Sequence, residues 1–372
     1  MHIINRAAVF TGRARPGSAY FFRISGPAII GVKAATSPER DDPVGGSNLA
    51  RDGRTISGGN PAEQGDRPKQ NSPAWKGRCS ANGPAENGAT AGGSPPPGST
   101  FPQIEPGSMR ELADQLDQEI AAAAMDVALS LYDFSTKSEL EINGFEPLYP
   151  ASMIKTLLLL AALHGLEKGR LSLQEQFYLR EDDRYAGNTR VTGSGILQYA
   201  ENGSVYTFKE LLSLMISLSD NIATNMVYDR VGPSAVAETI RKLGLQQTAF
   251  TRKMYEMESP LPSNVSTVHD LTRLLVALEE RQFVGDSFSK MGINMMLETI
   301  DKERIGRYLD GTAVKVANKV GTVTGIVGDM ALIYLPARPP LALTVAVKNP
   351  PGQEEAARLI GRLARIVVEH FL

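Results

Sequence analysis

The segment Tyr149-Pro150-Ala151-Ser152-Met153-Ile154-Lys155-Thr156-Leu157-Leu158-Leu159-Leu160-Ala161-Ala162-Leu163 is the most constrained part of a 372-residue chain. Proline suits the first turn of a helix, where its missing N–H has no intrahelical partner anyway, so Pro150 marks a start. The run from Leu157 to Leu163 is apolar on every side, the pattern of a helix buried all round. Lys155 stands at the i+3 position from Ser152, which sets both side chains on one face within hydrogen-bond reach. Burial disfavours the charged form of an amine, and an uncharged lysine can take a hydroxyl proton. The N–H groups at such a helix start also point toward a developing oxyanion. Taken alone, Ser-x-x-Lys is frequent by chance. A serine near a cap, and a lysine whose stem carries its charge to solvent, explain it as well.

Two further sites lie toward the C-terminus. Thr207-Phe208-Lys209-Glu210 has the form of a capping box and opens a helix whose apolar face is Leu211, Leu212, Met215, Ile216 and Leu218. That helix ends at Ser219-Asp220-Asn221. A hydroxyl there can pass a proton to a leaving amine and an amide can hold a substrate carbonyl, although Ser, Asp and Asn also gather wherever helices stop. Later, Asn318-Lys319-Val320-Gly321-Thr322 reads as a strand. A glycine inside a strand often marks close approach of a ligand or backbone. The Thr322 N–H on an edge strand would be the second oxyanion donor, whereas lysine on an edge also serves simply to block pairing.

Around these sites the periodicity predicts a helix over residues 109–124, with Leu112, Leu116 and Ile120 on one face, and strands over 126–134 and 139–142. A helical region runs from Ser152 to about Arg304. Strands follow at 314–323, 328–335 and 341–347, with Pro339-Pro340 turning between the last two, and a helix at 354–371 closes the chain. The predicted fold is α/β (α+β): a five-stranded antiparallel sheet flanked by helices, interrupted by an inserted all-helical lobe, with a cleft between the layers.

Composition divides the chain near residue 108. The first 108 residues hold 17 of 35 glycines and 13 of 23 prolines, with Ser94-Pro95-Pro96-Pro97-Gly98 as a linker-like piece. Such a stretch buries too little to offset its ordering entropy and is expected to be a disordered extension. The alternative is upstream translation included by mistake, with Met109 the true start. No apolar run approaches a signal-peptide core or a membrane span. Location therefore stays open: cytoplasmic if the chain starts at Met109, otherwise possible export. The formal net charge of -2 excludes the basic stripe that nucleic-acid binding requires. One cysteine, Cys79, excludes an internal disulfide and any Cys-x-x-Cys site, and four scattered histidines show no metal-ligand spacing. No metal or cofactor is expected.

Ser152-x-x-Lys155, Ser219-Asp220-Asn221 and Lys319-x-Gly321, in that order on a buried helix, a helix end and a late strand, form the set used by class A β-lactamases and penicillin-binding proteins. Residues 109–372 resemble a class A β-lactamase domain, in particular the uncharacterised serine hydrolases of that superfamily. The stretches Gly193-Ser194-Gly195-Ile196-Leu197 and Leu243-Gly244-Leu245-Gln246-Gln247-Thr248 add to the likeness. The resemblance implies an acyl-enzyme in which Ser152 attacks, Lys155 assists deprotonation and Ser219 relays a proton. Asn221 would orient the substrate, Lys319 would support the charge network, and Gly321 and Thr322 would complete the substrate side. It also implies a monomer acting on a small molecule: a β-lactam, or a D-amino-acid peptide or ester. A Ser-His-Asp arrangement is excluded, because no histidine sits in a comparable motif beside a serine.

Three departures bear on substrate and turnover. Val320 replaces the usual threonine or serine that grips the substrate carboxylate. No arginine lies on the 328–335 strand, where many members carry a second carboxylate ligand, and Asp329 stands there instead, which would repel an anion if exposed. The loop that supplies the family's water-activating glutamate, residues 252–264, lacks the Glu-x-x-Leu-Asn pattern. Glu256 is the first candidate base and Glu258 the next, each needing a shift in register. Two alternatives to β-lactam hydrolysis therefore stay open: a D,D-peptidase or esterase of the same fold, and a receptor that is acylated but clears slowly.

Overall fold

The computed structural model describes residues 20–23, 30–32 and 106–372, with side chains placed from Met109 onward. The expected disordered extension, its linker-like Ser94–Gly98 piece and Cys79 fall outside the described residues. Within the extension two short strands, β1 (Tyr20–Arg23) and β2 (Ile30–Val32), are described, and α1 (Pro106–Ala123) begins one turn before Met109.

The five expected strands form one antiparallel sheet. They are β3 (Asp126–Asp133), β4 (Ser138–Ile142), β9 (Lys315–Val323), β10 (Ile326–Tyr334) and β11 (Leu341–Lys348). With the β1–β2 hairpin added beside β4, the order is β2-β1-β4-β3-β11-β10-β9, and β9 forms one edge. Side chains alternate between faces with period two. Leu129, Leu131, Ala331, Ile333, Leu343 and Val345 pack with Leu112 and Leu116 of α1 and Leu359, Ile360 and Leu363 of the C-terminal helix α8 (Gln353–Phe371). Tyr132, Met330, Leu332 and Ala342 point the other way, into the helical lobe. Helices on both faces explain why these strands read as nearly continuous apolar runs.

The lobe holds α2 (Lys155–Glu167), α3 (Phe208–Ser217), α4 (Asn221–Val231), α5 (Pro233–Leu243), α6 (Val268–Glu280) and α7 (Asp286–Leu297). It is not the all-helical lobe that the sequence predicts. Between α2 and α3 the chain makes two small ribbons: β5 (Gln176–Tyr178) pairs with β8 (Val205–Thr207), and β6 (Tyr185–Ala186) with β7 (Thr189–Arg190). Ribbons this short leave no period-two signal to read. α2 is the lobe's axis, and every residue from Lys155 to Leu166 is buried. The capping box forms as the sequence predicts: Glu210 N donates to Thr207 Oγ1 at 3.3 Å and Thr207 N to Glu210 Oε2 at 2.7 Å.

Candidate active site

Ser152 lies on a 3-10 turn, Ala151–Ile154, between Pro150 and the first residue of α2. The turn starts on a left-handed residue, Ala151 at φ 47°, a conformation that costs a non-glycine residue roughly 1–2 kcal/mol and persists only where surroundings impose it. β9 is the surrounding. A Cβ on Gly321 would stand 3.0 Å from Pro150 O, 3.0 Å from Met153 Cγ and 3.3 Å from Ala151 Cβ. Glycine at 321 is thus what lets the late strand close on the turn that carries Ser152.

Lys155 is wholly buried, and its Nζ donates to Ser219 O at 2.7 Å, Ser219 Oγ at 3.2 Å and Asn221 Oδ1 at 2.8 Å. Burial pushes its pKa far below the ordinary lysine value, the Lys319 charge pushes the same way, and Asp220 opposes them. Ser219 and Asn221 meet this amine because the chain breaks between α3 and α4. Ser219 takes φ 55°, which turns both its carbonyl and its hydroxyl inward. Asp220 caps α4, its Oδ1 accepting from Ala223 N at 2.9 Å, while its Oδ2 accepts from Ile196 N at 2.7 Å and Leu197 N at 2.8 Å. The 192–197 loop is thereby stitched to the helix start. Asn221 N donates to Ser194 O at 3.2 Å and Asn221 Nδ2 to Thr192 O at 2.8 Å. Asn221, expected to orient substrate, therefore spends its carbonyl on Lys155 and one N–H on Thr192, and keeps one N–H for the cleft.

On the opposite wall Lys319 is fully buried and donates to Val320 O at 3.0 Å. Its pKa falls to about 7: burial lowers it, the Asp329 carboxylate holds it up, and Arg304 lowers it again. Asp329 is not the exposed anion that would repel substrate. It is 0% accessible, takes Asn318 Nδ2 at 3.2 Å on both oxygens and Ile305 N at 3.2 Å on one. Burial raises its pKa to about 6 against the pull of the Arg304 guanidinium. An arginine does reach this wall, by a route the sequence reading missed. Arg304, in the segment before β9, donates to Gly321 O at 2.7 Å and Thr322 Oγ1 at 2.6 Å, and also to Gly328 O. Its only sequence signal is the charged cluster Asp301-Lys302-Glu303-Arg304.

Glu256 is not brought to this cluster. Its Oε2 accepts from Lys253 N at 2.9 Å, closing a turn of its own loop. The phenol that Glu256 perturbs is Tyr228, whose pKa is raised by burial first and by Glu256 second. Tyr228 is seven residues beyond Asn221 on α4, about 10 Å along the axis at 1.5 Å per residue. Glu258 is exposed and accepts from Asn188 Nδ2 at 3.0 Å. The loop is pinned to the lobe at Met254 instead: Met254 N donates to Asn225 Oδ1 at 2.8 Å and Asn225 Nδ2 to Met254 O at 3.0 Å. Asn225 is four residues after Asn221, on the same face of α4. A sequence reading could have noted that i, i+4 asparagine pair.

Among the described residues no cluster of three or more His, Cys, Asp or Glu could hold a metal ion, and no helix is long and apolar enough to cross a membrane. The chain is similar to the extended-spectrum β-lactamase PER-1 of Pseudomonas aeruginosa, at 25% identity over 64% of this chain and 80% of that protein. A β-lactamase of Streptomyces albus G is 26% identical over 66% of this chain and 81% of its own. Among solved structures, a β-lactamase from Sphaerobacter thermophilus superposes with a TM-score of 0.63 at 28% identity, covering 69% of this chain and 95% of that one. A mutant of PBP-A in an acyl-enzyme complex with penicillin G gives 0.64 at 25% identity, covering 71% and 97%. The pattern of the β-lactamase enzyme family matches residues 111–371, from the first helix through the last, and the chain belongs to that family.

Proposed function

We propose that the chain is a serine hydrolase that forms an acyl-enzyme through Ser152 and opens the amide of a β-lactam. The observation that carries the reading is Lys155, a fully buried amine three residues from Ser152, whose Nζ lies within hydrogen-bond distance of Ser219 O, Asn221 Oδ1 and the Ser219 hydroxyl and whose pKa burial lowers. In the neutral form its two N–H groups stay on the two carbonyl oxygens and its lone pair is left to take a proton. In the proposed reaction neutral Lys155 removes the Ser152 hydroxyl proton as Oγ bonds to the carbonyl carbon. The Ser152 and Thr322 N–H groups receive the oxyanion. As the C–N bond breaks, the Ser219 hydroxyl passes a proton to the departing nitrogen and regains one from Lys155. Lys319 and Arg304 offer positive charge to an anionic group on the substrate's other end. No metal or cofactor enters.

A second reading, in which the acyl-enzyme clears slowly, is favoured by one observation. The loop residue clamped to Asn225, on the Asn221 face of α4, is Met254, which cannot activate water, and Glu256 is turned to its own loop. A D,D-peptidase or esterase would use the same acylation chemistry on a different substrate. The full chain and Ser152→Ala, mixed with benzylpenicillin and followed by intact mass, test the first two readings. An adduct that forms and clears with product supports hydrolysis, and a persistent adduct supports the slow-clearing reading. A folded wild-type protein with no adduct, or an adduct that survives Ser152→Ala, removes Ser152 acylation by β-lactams.

A further inference from the structure

We infer that Tyr255 is a substrate-contacting residue: its phenol, over Gly193 and beside the Asn221 carboxamide, donates a hydrogen bond to a carbonyl on the acyl group carried by Ser152, and so selects substrates bearing an acylamino side chain. The inference rests on the acyl-enzyme reading above.

Four observations converge on this phenol. Gly193 adopts φ 80°, and a Cβ there would stand 2.5 Å from Tyr255 Oη and 3.3 Å from Asn221 Nδ2. The phenol therefore fills the space that a side chain at 193 would take, next to the amide that Lys155 also touches. Secondly, Tyr255 Oη has no hydrogen-bond partner among the described residues. A half-buried donor beside Asn221, with no internal partner, is available to a ligand. Thirdly, the position is imposed. Tyr255 takes φ 66°, a left-handed conformation rare for a bulky residue, and the Asn225 clamp on Met254 fixes the backbone just before it. Its ring packs on the core of the helical lobe. Finally, the nucleophile's own turn lies within electrostatic reach. Tyr149, three residues before Ser152, has its pKa raised by burial, lowered by Arg252 and raised by Tyr255.

Asn221 retains a single free N–H, because Thr192 O takes the other. A carbonyl oxygen has two lone pairs. The Asn221 N–H and the Tyr255 O–H together supply two donors for one carbonyl, which a 255 side chain without a hydroxyl would not. Loss of one such neutral hydrogen bond in a site that excludes water is expected to cost about tenfold in reaction with the substrate that makes it.

The test uses the full chain and two probes: benzylpenicillin, which carries the acylamino carbonyl, and 6-aminopenicillanic acid, which lacks it. Second-order acylation rates are read by intact mass, with thermal melting confirming that each variant is folded. Tyr255→Phe is expected to lower the benzylpenicillin to 6-aminopenicillanic acid rate ratio about tenfold. Gly193→Ala, which keeps the phenol but displaces it from Asn221, is expected to lower the same ratio. A ratio held within twofold in both variants overturns the inference, whether the two rates are unaltered or fall together as a structural defect would make them. If wild type forms no adduct with either probe, the acyl-enzyme reading fails and this inference with it; a wild-type adduct with an unmoved ratio defeats Tyr255 alone.

Discussion

Lys155 and Lys319 are both fully buried, yet the proposed chemistry needs one neutral and the other charged. Burial and the neighbouring Lys319 charge lower the proton affinity of Lys155, while Asp329 partly restores that of Lys319, leaving it near 7. Acylation by a carboxylate-bearing β-lactam should therefore fall as pH rises through about 7, where Lys319 loses its charge. Asp329→Asn removes the anion that supports the Lys319 proton, so the falling limb should move to lower pH. Acylation rates measured from pH 5 to 9 decide this, and an unmoved limb would separate Asp329 from Lys319. The other residue-scale expectation concerns Met254. Because Asn225 holds its backbone by two hydrogen bonds, Met254→Glu introduces a carboxylate at the clamped position. Clearance of the acyl adduct should accelerate at least about a hundredfold, a general-base contribution at the low end of the usual range. A variant adduct as long-lived as that of wild type would count against this placement of the missing base.

At the scale of elements, the break between α3 and α4 organises the cleft, and Asp220 holds that break together. One carboxylate caps α4 through Ala223 N and gathers Ile196 N and Leu197 N of the opposing loop. Gly195 is the counterpart of this arrangement: at φ 107°, a Cβ on it would lie 2.3 Å from Asp220 Cγ. Asp220→Ala should destabilise the fold by about 2–4 kcal/mol, a lost cap plus buried donors left without partners, read by urea denaturation. Gly195→Ala should also destabilise, through both the clash and the positive φ. A loss below about 1 kcal/mol for Asp220→Ala would show that water replaces the clamp. The asparagines at 221 and 225 depend on the same helix start, so the Asp220 variant should also slow acylation by Ser152.

For the whole molecule, the sheet is covered by helices on both faces and so encloses polar groups that a one-sided sheet would leave wet. Glu141 on β4 is such a group. It accepts from Ser130 Oγ at 2.7 Å on Oε1, its Oε2 has no partner among the described residues, and burial raises its pKa well above 4.5. The folded protein thus keeps this proton where the unfolded chain has released it. The associated stability is whole below about pH 4.5 and is lost as pH rises toward the folded value. Glu141→Gln, which resembles the protonated acid at every pH, should match wild type at pH 4 and exceed it by about 1–3 kcal/mol at pH 8. Equal melting temperatures at pH 8 would show the carboxylate to be solvated in the folded state.

The sequence by itself determined whatever depends on neighbours along the chain. The all-apolar run after Lys155 dictates a buried helix, and three-residue spacing places Ser152 on the turn that leads into it. The Thr207–Glu210 box and the glycine at 321 likewise carry their local meanings wherever they fold. The five strands and the split between layers followed from periods of two and 3.6, which are properties of the backbone. Only the tertiary structure decided which groups from distant segments share the cleft. Arg304 reaches Gly321 and Thr322 from outside any motif, and Asp329 is a buried partner rather than an exposed repellent. Met254 and Tyr255, rather than Glu256, face Asn225 and Asn221. Loop register and side-chain burial are set by packing across the chain: a carboxylate's role depends on what surrounds it, and local sequence does not encode those surroundings.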